Sequence, residues 1–80
     1  MKTHEQIEQL TRNAKSMGGI VIATCINKTD MNMIHCIKHH IDNEEYVVHD
    51  YNVEFDGFYN GYYSFDIDEA YKQFAKRITR

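Results

Sequence analysis

Two apolar stripes with helical spacing bracket this chain, and the stretch between them carries strand patterning; few small folds accommodate that order. Ile7, Leu10, Ala14 and Met17 recur at one-face helical intervals, and Ile67, Tyr71, Phe74 and Ile78 do the same near the other end. The spacing predicts a first helix over residues 3–17, opened by a Thr3–Gln6 capping box and closed by Gly18-Gly19, because glycine accepts the left-handed cap conformation. A second helix follows Asp66, whose carboxylate with Glu69 resembles another capping box, and its acids lead while Lys76, Arg77 and Arg80 trail, as the helix dipole favours.

Between the helices, residues 20–27 are short and β-branched and read as a strand. Lys28-Thr29-Asp30 turns the chain into a second strand over 31–41, with Met31, Met33, Ile37 and Ile41 on one face. Asp42-Asn43-Glu44 is read as a three-residue turn before a third strand over 45–55, in which Val47, Tyr51, Val53 and Phe55 alternate. These residues, with Ile20, Ile22 and Ile26, are expected on the core side. The opposite face, with Val21, Ala23, Cys25, Ile34, Cys36, Tyr46 and Val48, is too apolar for a solvated sheet surface, so a helix or a second copy of the chain covers it. Residues 56–61 read as a glycine-punctuated loop and 62–65 as a short fourth strand. The fold class is therefore α+β, an antiparallel sheet of three to four strands between an N-terminal and a C-terminal helix, in one domain over 1–80.

Charge is unevenly placed. No lysine or arginine occurs between Lys38 and Lys72, yet nine of the twelve acidic residues and all six tyrosines do. Such a field repels nucleic acid and attracts basic surfaces. A direct nucleic-acid footprint would need Arg12, Lys15, Lys76, Arg77 and Arg80 to converge, which requires the helices to lie side by side. No apolar run reaches the roughly 20 residues of a membrane span, and the N-terminus has no apolar core of a secretory signal. With Cys25 and Cys36 its only cysteines, the chain reads as a cytoplasmic protein with reduced thiols.

The chemistry-bearing residues offer several arrangements. His35, His39 and His49 are candidate metal ligands, although on one strand His35 and His39 stand about 13 Å apart at roughly 3.3 Å per residue. The three-residue turn brings His49 opposite Ile37. An even-numbered turn would instead pair His35 with Asp50 and Cys36 with His49, the two combinations that resemble a base and its partner. No cofactor motif is present, and the expectation is a non-enzymatic protein. The segment from Phe55 to Asp66 holds Phe55, Phe58, Tyr59, Tyr62, Tyr63 and Phe65, too many aromatic rings for the core of so small a domain, so some face water and mark a contact surface. The expected partner-binding residues are Glu44, Glu45, Asp50, Glu54, Asp56, Tyr59, Tyr62 and Tyr63, followed by Asp66 and Asp68.

In size, charge pattern and the tail Phe58-Tyr59-Asn60-Gly61-Tyr62-Tyr63 followed by Asp68-Glu69-Ala70-Tyr71-Lys72-Gln73-Phe74, the chain resembles the small phage- and prophage-encoded inhibitors, the anti-CRISPR proteins above all. The resemblance implies a non-enzymatic inhibitor occupying a basic, nucleic-acid-binding surface of a CRISPR effector complex in the bacterial host cytoplasm. It assigns no role to an individual residue. The alternative is a self-associating accessory or regulatory protein of a mobile element, a homodimer through Cys25, Ile34, Cys36 and Val48.

Overall fold

The computed structural model describes residues 2–30 and 32–79, with side chains in the first helix described from Glu5 onward. The Thr3–Gln6 capping pair, Met31 and Arg80 lie outside that description. The order is α1 (Lys2–Ser16), β1 (Ile20–Ile26), β2 (Met33–His40), β3 (Glu45–Asn52), β4 (Gly57–Ser64) and α2 (Ile67–Ile78), with a 3₁₀ turn at Ile41–Asn43. The strands form an antiparallel meander in the order β1-β2-β3-β4. This is the α+β class that the alternation of helical and strand periodicity predicts.

The helices lie on opposite faces of the sheet. Leu10 of α1 packs with Ile34, Cys36 and Tyr51, whereas Ala70 and Phe74 of α2 pack with Ile37 and Val48. Odd and even positions along a strand point to opposite sides, so the two clusters sit on opposite faces. The second apolar face is thus covered by a helix of the same chain. Ile34, Cys36 and Val48 are fully buried, and Cys36 faces α1 while Val48 faces α2, so the homodimer seam proposed through them does not exist as a surface. Cys25 pairs across the strands with His35 and faces α2, so it cannot reach Cys36; both thiols are free.

Local chemistry explains the ends of each element. Gly18 sits at φ 82°, its N–H bonds Lys15 at 3.0 Å and the Gly19 N–H bonds Ala14 at 2.8 Å, the paired closure of a Schellman cap. That cap stops the helix before Met17, which leaves the apolar stripe and is exposed. Asp66 caps α2 by accepting from the Asp68 N–H, while Glu69 turns instead to the Tyr62 hydroxyl and Gln73. Full burial of Leu10 stabilises the α1 contact by about 2–3 kcal/mol.

Two strand expectations need correction. Ile41 leaves the strand for the 3₁₀ turn, which Glu44 closes in the left-handed region at φ 53°, so the connection runs over residues 41–44 and is even-numbered. The register then sets His35 opposite Asp50, Cys36 opposite His49 and Ile37 opposite Val48. The third strand ends at Asn52, and the glycine-rich segment is strand rather than loop. Asn60 (φ 53°) and Gly61 together oppose His49, forming a bulge that the glycine signal marks. A Cβ at Gly61 would lie 2.6 Å from His49 Nε2, so only glycine lets that ring pack against β4.

Candidate functional site

The acidic segment does not form one face. β3 runs through it, and its eight residues separate Glu44 and Glu45 from Glu54 and Asp56 by about 25 Å. At the first end, Asp42, Glu44 and Glu45 meet the chain leaving β4, where Tyr46 pairs with Ser64, so Phe65, Asp66 and Asp68 lie close by. Tyr63 (63% exposed) shares a cavity wall with Glu45, Phe65 (74%) immediately precedes the Asp66 cap, and Ile41 is exposed in the adjoining turn. At the other end, Glu54 accepts from the Asn32 amide, and Phe55 is 81% exposed.

Asp56 is committed to structure. Its Oδ1 accepts from Gln9 at 2.7 Å, from Asn13 and from the Tyr51 hydroxyl, tying the β3–β4 turn to α1. The Tyr51 hydrogen bond above all, then that of Gln9, holds the Asp56 carboxyl below the usual range. Burial, reinforced by Asp56, pushes the Tyr51 hydroxyl up to about 12. Tyr62 lies in the cluster under α2 with its hydroxyl on Glu69, and Tyr59 is partly exposed.

Asp50 is not a surface residue: it is 5% exposed and forms the centre of a buried network on the α2 face. His35 Nδ1 lies 2.8 Å from its Oδ1, Arg77 Nη1 of α2 donates at 3.1 Å, and the Asn60 amide donates to Oδ2 at 3.3 Å. Burial pushes the Asp50 carboxyl up, but the bonds from His35 and Asn60 and the Arg77 charge outweigh it and hold it below the usual range. The His35 tautomer follows from Asn27. Asn27 Oδ1 accepts from the Thr29 N–H, the Thr29 hydroxyl and the Asp30 N–H, which leaves its Nδ2 to donate to His35 Nε2 at 3.1 Å. Nε2 is therefore an acceptor, and Nδ1–H donates to Asp50.

That orientation matches a catalytic base, but the base is occupied. Among the described residues no hydroxyl or thiol bonds Nε2, and the adjoining cavity, lined by Cys25, Asn27, Thr29 and His35, is about 50 Å³. That volume is far below a substrate pocket. On the other face, burial pushes the Cys36 thiol up to about 12, so it stays protonated opposite His49. The network reads as a tie joining β1, β2, β3, β4 and α2. His35 and His39 point toward α2 and His49 toward α1, so the three cannot share a metal; no metal-holding group of His, Cys, Asp or Glu occurs among the described residues. His39 stacks on Tyr46 at 4.4 Å.

The basic side chains do not converge either. Arg12 and Lys15 lie on α1, Lys76 and Arg77 on α2, across the sheet from one another, and Arg77 is bound to Asp50. No described helix is long and apolar enough to cross a membrane.

The sequence reading missed Phe55 and Phe65 as exposed aromatics. Their position carries the signal: one lies in a turn and the other immediately before a helix cap, where a side chain has no neighbouring strand to cover it. It also missed Lys38, which is 1% exposed and lies with its ammonium 4.1 Å above the Phe58 ring. No family model, curated protein or solved structure matches this chain.

Proposed function

We propose that the protein is a non-enzymatic inhibitor that docks the acidic, aromatic end of its sheet on a basic, nucleic-acid-binding surface of a partner complex. The observation that carries this reading is the exposure of Tyr63 and Phe65 at the end of β3 and β4 that also carries Glu44, Glu45, Asp66 and Asp68. Exposed ion pairs contribute about 0–1 kcal/mol each, so the carboxylates set orientation and encounter rate while the two rings supply most of the affinity. A groove that holds phosphates offers the complementary charge. The resemblance to anti-CRISPR proteins makes a CRISPR effector complex the first partner to try.

The test is capture of purified CRISPR effector complexes by the immobilised protein, with and without competing duplex DNA, alongside the Glu44→Lys/Asp66→Lys variant. The proposal expects capture that weakens with salt, yields to DNA and falls at least about tenfold in the variant. Capture indifferent to both DNA and charge reversal overturns the nucleic-acid-site reading. A Tyr63→Ala/Phe65→Ala variant that binds as the wild type does overturns the assignment of the anchors.

A further inference from the structure

The two faces of the sheet treat their buried charges differently. Under α2, Asp50, His35 and Arg77 satisfy one another. Toward α1, Lys38 and His49 are also buried side chains, but they are not paired in this way; of the two, only His49 holds a fully buried polar atom without a partner. The Lys38 ammonium carries three N–H donors, and among the described residues it has neither a carboxylate within ion-pair distance nor a hydrogen-bond acceptor; its one recorded contact is the Phe58 ring. His49 is 8% exposed, and its Nδ1 is buried with no hydrogen-bond partner.

Both residues line one cavity. It has a volume of about 210 Å³ and is walled by Lys38, His40, His49, Met17, Val47 and Tyr63, with Asn43 and Glu45 completing the rim. The ammonium is the solvent-reachable tip of an otherwise buried side chain, and the ring face beside it replaces only part of the hydration it has lost. An anion in this cavity would complete the pairing that the protein leaves open. The lining also limits which anion. One carboxylate, Glu45, stands at the rim against one ammonium, which disfavours multiply charged ligands. Met17, Val47 and Tyr63 offer an apolar wall, and the volume is smaller than the roughly 300 Å³ at which drug-sized pockets begin.

We propose that this cavity is a binding site for a small organic monocarboxylate, its carboxylate paired with Lys38 and its apolar body against Met17, Val47 and Tyr63. The site is independent of the partner-docking reading and shares only Glu45 and Tyr63 with that end of the molecule. It explains why a β2 position between the sheet and α1 holds a lysine, where Ile34 and Cys36 on the same face are apolar.

The experiment is a titration of the full chain with sodium butyrate, followed by amide and side-chain NMR shifts and by thermal melting. Sodium chloride at equal ionic strength and inorganic phosphate are run in parallel. The proposal expects saturable shifts at Lys38, His49, Met17 and Tyr63, and a melting rise of about 5–10 °C at tenfold excess over Kd. Lys38→Met abolishes both. Met17 is exposed, so Met17→Glu folds normally and tests the site if Lys38→Met does not fold; it places a second carboxylate at the mouth and weakens butyrate at least about tenfold. Equal responses to butyrate and chloride, or an undiminished butyrate response in either variant, overturn the site. A saturable response to phosphate without one to butyrate overturns the ligand class.

Discussion

Acid should loosen this protein through one ring. Burial, and then the nearby charges of Lys38, Arg77 and His40, lower the His49 pKa from 6.5 to about 4. Above pH 6.5 the imidazole is neutral in both states and favours neither. As pH falls below 6.5 the unfolded chain takes up a proton there and the folded protein does not, so stability declines until the folded ring also titrates near pH 4. Linkage gives a loss of about 2 kcal/mol between pH 7 and pH 5, and about 3 kcal/mol by pH 4. For a domain of this size, 2 kcal/mol corresponds to a fall in Tm of about 8–16 °C. The carboxylates act in another window: Asp50 and Asp56 are held below their usual range, so their contributions are present above about pH 4 and disappear only as pH drops through their lowered values. The assay is thermal melting from pH 7.5 to 4.5 on the wild type and His49→Leu, with the His49 ring followed by NMR. The wild type should lose the stated stability while the leucine variant keeps it. Parallel curves, or a folded-state His49 titrating near 6.5, would refute the reasoning.

Other perturbations separate the strands of the argument. Gly61→Ala should cost about 1–3 kcal/mol in urea denaturation because its Cβ meets the His49 ring, whereas Gly57→Ala, with only the Phe55 carbonyl at 3.8 Å, should cost well under half of that. Asp50→Asn should lower stability by about 3 kcal/mol, since Arg77 loses its buried counter-charge and an amide NH2 replaces the oxygen that accepts from Asn60; a loss below about 1 kcal/mol would show that the tie is dispensable. Lys38→Met should melt no lower than the wild type in anion-free buffer, because the variant keeps the apolar stem and removes an unpaired charge. Tyr62→Ala should cost about 2–4 kcal/mol and Tyr63→Ala less than about 0.5 kcal/mol, as measured by chemical denaturation, because only the first ring packs under α2.

The helices and the strand count were legible because each rests on local pattern: spaced apolar stripes, a glycine pair, an aspartate cap and β-branched runs. The register was not. Ile41 is apolar and continues the odd-numbered face of its strand, so pattern alone assigns it to the sheet, yet it is exposed in a 3₁₀ turn. Moving that one residue from strand to turn changes which side of the sheet every later side chain occupies relative to β2. The consecutive burial of Ile34, His35, Cys36, Ile37 and Lys38 shows a central strand covered on both faces, where simple alternation is lost. Asn60-Gly61 reads as a loop because the same residues serve turns and bulges, and only the partner strand distinguishes them. The placement of the acidic residues was not legible for a different reason. Carboxylates that cluster in sequence are distributed by β3 to opposite ends of the sheet, and Asp50, midway along it, is drawn inside by Arg77 of a helix far along the chain.

The central strands bury four polar or charged side chains among the described residues of this eighty-residue chain: His35, Lys38, His49 and Asp50. A domain this small has a stability of only several kcal/mol, so each buried charge is a large fraction of the whole. The α2 face meets that cost by pairing: the His35 tautomer is set by Asn27, the carboxylate is fully engaged, and Arg77 ties the helix to the strands. On the α1 face Lys38 and His49 line one cavity, the lysine without a carboxylate partner and the histidine with a buried Nδ1 left open. If buried polarity served only to fix the register of β2 against β3, both faces would be expected to close their networks, because an unsatisfied group specifies nothing that a satisfied one does not. The difference between the faces therefore separates two roles within one sheet. One network holds the fold, and the other is arranged for something that enters from outside.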